Sequence, residues 1–451
     1  MLVFAELGMG QKNLLNMYTD TQAGRDRWRI HRKLMHAGVG IQQVRKYRTF
    51  QDNESKVVAY DLLSSPEKFV EHFERYATSV VSIIAFGRRV ASPEDPIITE
   101  VIAAMHLAAD LNVPGKTFPM LMETFPFLAR FPNEIAPWKH GLGARGRKGA
   151  HKFFHALASE AGNKPGHDSS YVKHLLREAP QHALDAEEIS SLTGNLFGAG
   201  SDTSSSTLIT FVLACCAFPA ALPRAWAELD AVVGSARSPS MEKGDDAQMP
   251  YVRAFCREVL RWRSVAVIGG QPHAPVRDDV FDGYFIPKGA WVQGNVWAIH
   301  HHEREFPDPD RFAPERYMEG DGLARPFPGE RGYMTFGWGR RVCSGQALAE
   351  QGTWLSVARL LWAFRIEKAR DAEGREIPVD IDDYTWVVLV VGSVVDVNGL
   401  NWRPRPFKCS FTPRSPEILQ TIEREGKQAL QDLEEYAGTT EYRMSLFAKK
   451  K

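Results

Sequence analysis

The chain has 451 residues, 44% of them hydrophobic, with 55 basic and 55 acidic residues. That length is enough to bury one large core or two ordinary ones. A net charge of zero argues against nucleic acid as an obligate partner, and five cysteines without CxxC spacing argue against a disulfide scaffold or zinc ribbon.

A reducing compartment suits that cysteine usage better. The N-terminal "MLVFAELGMGQKN" is too short in its apolar part for a signal peptide. No window supplies the roughly 18 apolar residues of a membrane span, so the chain reads as soluble or peripheral.

Residues 1–220 read as mostly helical. In "DRWRIHRKLM", Trp28 and Arg32 stand at i, i+4 among Arg29, His31 and Lys33, a pattern that taken alone is a solvated basic helix. "ATSVVSIIAFG" (77–87) and "IITEVIAAMHLAADL" (97–111) repeat apolar residues at helical spacing. "GLGARG" (141–146) is a literal GxGxxG, but no strand precedes it and a dinucleotide fold does not follow. The longest helical stretch is 185–218, opened by an Asp185/Glu188 capping box and closed by Pro219. It would span about 50 Å.

Within that stretch "AGSDTS" (199–204) places small and polar residues where a helix prefers Leu or Ala. Leu192, Leu196, Ala199 and Thr203 share one face, so the small stretch is expected to look inward. "TSSST" (203–207) offers hydroxyls without the context of a nucleophile elbow. In "EVLR", Glu258 and Arg261 stand at i, i+3, where an ordinary surface ion pair is the common outcome.

From 265 the texture changes to short segments punctuated by Pro and Gly. "DGYFIPKG" reads as a hairpin corner between strands. "HHH" (300–302) lacks an evident fourth metal ligand and reads as a solvated turn. "FPDPDRFAPERYMEGDG", which carries Arg316, is an irregular meander. The mixture predicts a mainly α, α+β fold in one domain over 1–415, followed by a helical tail over 416–451.

"FGWGRRVCSG" (336–345) then sets one cysteine among three glycines and two arginines, directly before a helix. The glycines allow close backbone approach, the helix start favours a thiolate, and Arg341 can neutralise an anion beside it. Such a loop suits a sulfur ligand held against a planar, metal-bearing cofactor.

The pattern Phe336-x-x-Gly339-x-Arg341-x-Cys343-x-Gly345 resembles the haem-binding loop of the cytochrome P-450 haem-thiolate monooxygenases. The resemblance runs from about 15 to 415. It implies haem b with Cys343 as axial thiolate, a ligand that favours O–O cleavage. It also implies an oxygen-binding groove in which Thr203 supports dioxygen and Asp202 feeds protons. Trp28 and Arg32 would contact one haem propionate and His273 a second, and Glu258, Arg261 and Arg316 would form a buried ion network beneath the loop. The implied activity is hydroxylation or epoxidation of a small hydrophobic molecule with O2. Electrons would come from NADPH through a separate flavoprotein reductase. The texture is most similar to fungal secondary-metabolite enzymes, which sit on the cytosolic face of the endoplasmic reticulum membrane. A haem binder that no longer turns over is the alternative.

Two features depart from the family. No membrane anchor, proline hinge or first strands precede the WxxxR helix, which implies an N-terminal truncation. "TWVVLVVGSVVDV" (385–397) interrupts a region the family keeps nearly continuous. Its seven valines favour a hairpin turning at Gly392–Ser393, while an unspliced intron translated in frame is the preferred explanation.

Overall fold

The structure, a computed structural model, describes residues 12–15, 17, 19–112, 125–132, 136, 151–164, 169–270, 272–320, 322–323, 332–385 and 402–440. The GxGxxG stretch and nearly all of the Val-rich stretch lie outside these residues.

The elements follow in chain order. Helices α1 (Gln22–Val39), α2 (Ile41–Lys46), α3 (Arg48–Ser64), α4 (Phe69–Phe86) and α5 (Pro96–Asn112) come first. They are followed by α6 (His151–Asn163), α7 (Tyr171–His182), α8 (Ala186–Ala217), α9 (Leu222–Val232), α10 (Asp245–Gln248) and α11 (Pro250–Trp262). A strand pair, β1 (Asp279–Phe281) and β2 (Tyr284–Ile286), leads to α12 (Val296–His300) and a second pair, β3 (Met318–Glu319) and β4 (Gly322–Leu323). Helix α13 (Gln346–Ala363) runs into β5 (Phe364–Lys368), which pairs with β6 (Cys409–Pro413) before α14 (Pro416–Asp432). All three strand pairs are antiparallel.

Helix α8 is the axis of the molecule, and its start follows directly from the sequence. Asp185 accepts from the Glu188 amide at 2.9 Å, and Glu188 accepts in return from the Asp185 amide at 3.1 Å. Such a cap contributes about 1 kcal/mol. Leu192, Leu196, Phe197, Leu208, Phe211 and Val212 are buried. The glycines of α8 set how closely its neighbours approach. A Cβ on Gly200 would lie 2.3 Å from Val81 Cγ1 of α4, and one on Gly194 would lie 2.6 Å from Phe154 Cγ of α6. The small residues of "AGSDTS" are therefore partly a packing device, admitting α4 against α8.

At the far end of the Leu192–Leu196 face, Ala199 is exposed and Thr203 half-buried, whereas Ser201, Asp202, Ser205 and Ser206 are buried. The hydroxyls of Thr203, Ser205 and Thr207 turn back onto their own helix, with Ser205 Oγ donating to Ser201 O at 3.2 Å and Thr207 Oγ1 to Thr203 O at 2.9 Å, and Ser206 Oγ reaches Asp202 Oδ1 at 3.5 Å.

The hairpin corner is formed by β1 and β2, with Val280 opposite Phe285. Asp282 (φ 49°) and Gly283 (φ 80°) occupy the two left-handed turn positions, as a two-residue hairpin requires. Val280, Phe281, Tyr284 and Phe285 are all exposed.

On either side of the Val-rich stretch the chain is paired with itself. Thr385 N–H donates to Arg403 O at 2.9 Å, Arg405 N–H to Asp383 O at 2.9 Å, and Tyr384 opposes Pro404 in an isolated bridge. Helix α14 packs on α3, where a Gly426 Cβ would lie 2.5 Å from Tyr60 Cβ. Among the described residues no single helix is long and apolar enough to cross a membrane.

Candidate active site

The site is built around the 336–345 loop. Gly337 (φ 70°) and Gly339 (φ 64°) take left-handed conformations that side chains disfavour. These turns let Cys343 N–H reach back to Phe336 O at 2.9 Å, closing the loop on itself. Gly345 then caps α13, so the Cys343 sulfur receives the amides of Gly345 and Gln346. Of the five cysteines, Cys343 alone is exposed; Cys215, Cys216 and Cys256 are buried and Cys409 is half-buried.

A helix start was expected to favour the thiolate. Here the surrounding protein desolvates the Cys343 thiol and pushes its pKa up, while the Gly345 and Gln346 amides and the Arg32 charge pull it down. This desolvation by the close-packed loop prevails over the amides, whose charges are only partial, although Cys343 keeps an accessible face.

The cation bearing on the sulfur is Arg32, not Arg341. Arg32 reaches from α1 to donate to Val342 O at 2.6 Å and to Ser344 Oγ. Arg341 turns away on the short 3-10 turn Gly339–Arg341 and donates to Leu14 O at 3.0 Å and Met17 O at 3.2 Å. Its guanidinium lies 4.6 Å over the Trp28 ring. Burial, then the charge of Arg32, lowers the pKa of Arg341.

This donor set fits the cofactor that the resemblance implies. Trp28 Nε1 is a buried N–H without an acceptor, and the hydrogen bonds of Arg32 and Arg341 go to neutral oxygens. Two crowded cations and an orphaned indole N–H suit a group carrying carboxylates, and an accessible thiol suits its metal. Ser344, which sequence reading overlooked, joins this set through Arg32.

His273 is held through its backbone. Its backbone pairs with Val292, N–H to O at 2.9 Å and the reverse at 2.8 Å, and its side chain is exposed. On α8, Thr203 Oγ1 donates to Ala199 O at 2.7 Å. The Asp202 carboxylate is buried, with its Oδ1 3.5 Å from Arg403 Nη1.

Glu258, Arg261 and Arg316 are brought together. Arg261 Nε and Nη2 donate to the two Glu258 oxygens at 2.7 and 2.8 Å, and both side chains are fully buried. Arg316 Nε donates to Glu258 Oε1 at 3.1 Å, and the Ala313 amide reaches the same oxygen at 2.9 Å. The remaining Arg261 donors reach His300 O at 2.8 Å and Pro309 O at 2.9 Å. Burial works to lower the pKa of Arg261, but the charge and hydrogen bonds of Glu258, with smaller help from Tyr317 and Asp310, together outweigh it and the net shift is upward.

The triple-histidine segment is not a solvated turn. His300 ends α12 fully buried, and its Nε2 accepts from the Met334 amide at 2.8 Å, two residues before Phe336. His301 stacks on Trp297 with centroids 3.5 Å apart and takes a 3.0 Å contact from Arg263 Nη1. The apolar residues of α12 pull the first two histidines inward with them. Among the described residues no cluster of three or more His, Cys, Asp or Glu is arranged to hold a metal ion.

These histidines make stability depend on pH. Burial drops the pKa of His300 to about 3 and that of His301 to about 4, from an ordinary 6.5. Between those values and 6.5 the unfolded chain binds protons that the folded chain refuses. Their stabilisation is therefore complete above pH 6.5 and is lost as pH falls toward 4 and 3. For His300 the slope is about 1.4 kcal/mol per pH unit. Melting curves from pH 7 to 4.5 should show this fall, and His300→Gln should flatten it; an unchanged slope would contradict the assignment.

The comparisons with known proteins point to one family. The family profile described as Cytochrome P450 matches residues 15–380. A cytochrome P450 monooxygenase of Armillaria gallica is 35% identical over 404 residues, covering 88% of this chain and 75% of that protein. The cytochrome P450 monooxygenase yanC of Aspergillus niger is 34% identical, covering 91% of this chain and 77% of its own length. A zebra fish cytochrome P450 structure with abiraterone superposes with a TM-score of 0.65 at 22% identity, covering 92% of this chain and 87% of that one. That likeness shows the fold. The family match and the fungal relatives show more: this chain belongs to the cytochrome P450 family, haem-dependent monooxygenases whose iron is held by a cysteine thiolate.

Proposed function

We propose that the protein inserts one oxygen atom from O2 into a C–H or C=C bond of a small hydrophobic molecule in fungal secondary metabolism. Electrons come from NADPH through a separate flavoprotein reductase, at the cytosolic face of the endoplasmic reticulum membrane. One observation carries this reading: the exposed thiol Cys343 shares a site with two guanidiniums that, among the described residues, bond only to neutral oxygens and with the Trp28 N–H, which has no acceptor there.

In this reading Cys343 is the iron ligand, and Phe336, Gly339 and Gly345 shape the loop that presents it. Trp28, Arg32 and Arg341 take the propionates, with the exposed His273 a further contact. When bound, the haem supplies dioxygen activation and oxygen transfer. The Thr203 hydroxyl, resting on Ala199 O, holds a proton on the accessible side of α8, and Asp202, buried one residue earlier, supplies it. Glu258, Arg261 and Arg316 hold the fold beneath the loop and take no part in the chemistry.

Thr203→Ala tests the proton assignment. The variant should keep its haem content and carbon-monoxide spectrum while peroxide released per NADPH rises severalfold, because protons arrive unguided. An unchanged ratio would remove Thr203 from the site.

A further inference from the structure

Asp202 is not left to orient itself. Arg403, more than two hundred residues later, donates through Nη2 to Glu74 Oε1 of α4 at 2.9 Å, and its Nη1 lies 3.5 Å from Asp202 Oδ1. All three side chains are largely buried: Arg403 is 16% exposed, Glu74 19% and Asp202 4%. The guanidinium is a rigid planar fork, so anchoring one arm fixes where the other points.

The backbone of Arg403 is pinned as well. Its carbonyl accepts from Thr385 N–H at 2.9 Å and its N–H reaches Thr385 Oγ1 at 3.3 Å. Pro404 restricts it to extended conformations, and the preceding Trp402 N–H is held by Val265 O at 2.9 Å. The cation thus meets α8 preassembled.

Successive residues of a helix point about 100° apart, so Asp202 and Thr203 face different sides of α8. A carboxylate serving Thr203 must swing from wherever it rests. We propose that Arg403 is a positioning residue: tethered by Glu74, it sets the resting place of the Asp202 carboxylate and thereby controls proton supply to Thr203. This rests on the reading of Asp202 as the proton donor.

The test needs no organic substrate. With holoenzyme, reductase and NADPH, dioxygen takes two electrons and two protons to give peroxide, or four of each to give two waters. Peroxide released per O2 consumed therefore reports proton supply. Arg403→Ala should change this ratio severalfold, Arg403→Lys should bring it back toward wild type, and Glu74→Gln should give a smaller change than Arg403→Ala. Independently of turnover, the double variant Arg403→Ala/Asp202→Asn should lose less melting temperature than the two single losses added together. If Arg403→Ala lowers the melting temperature but leaves the ratio unchanged while Asp202→Asn alters it, Arg403 is structural and the proposal falls. If Asp202→Asn also leaves the ratio unchanged, the reading of Asp202 fails and takes the proposal with it.

Discussion

Replacing Cys343 with serine or histidine is expected to abolish the absorption band that marks thiolate ligation in the reduced carbon-monoxide complex. The effect should be complete because no other cysteine can take over. Cys215, Cys216 and Cys256 are buried in the core. Cys409 lies half-buried on β6. Only Cys343 combines exposure with helix-start amides and a nearby guanidinium. Histidine can still ligate iron, so Cys343→His should bind haem with a shifted band, whereas Cys343→Ser should also lose haem. A thiolate band surviving in either variant would overturn the assignment.

The second large effect is expected at Glu258. Its carboxylate accepts from Arg261, Arg316 and the Ala313 amide together, inside a fully buried pair. Removing one member of a buried pair costs about 3–5 kcal/mol, because the stranded charge cannot regain water. Most domains have about 5–15 kcal/mol in total. Glu258→Ala should therefore yield insoluble or haem-free protein, while Glu258→Gln, which keeps an acceptor for the Ala313 amide, should lose less. Soluble Glu258→Ala protein with full haem content would show that the network is dispensable. Haem content per folded protein, read beside the melting temperature, separates this from a catalytic defect.

What could be read from the sequence was local. The Asp185 cap, the end of α4 at Gly87 and the start of α13 after Cys343 each depend on residues within a turn of one another. The Phe336-to-Gly345 pattern was legible for the same reason, since its glycines and its amides act within the loop. What escaped were partners chosen by tertiary packing. Nothing around Arg341 signals that its donors go to Leu14 and Met17, and nothing in "NWRPRP" separates Arg403, which meets Asp202, from Arg405, which meets Asp383. The histidine run misled in the same way. Three polar residues suggest solvent, yet α12 carries His300 into the core beside Arg261.

The self-paired segments on either side of 386–401 bear on how this protein tolerates change in length. Closing an excursion costs chain entropy that grows only with the logarithm of its length. Shortening this one by removing 386–397 would leave residues 398–402 between Thr385 and Arg403, still enough for a tight turn containing Asn398 and Gly399. The entropic difference between the long and short forms is only about 1 kcal/mol. A site fastened at its base in this way can gain or shed sequence without disturbing the residues behind it.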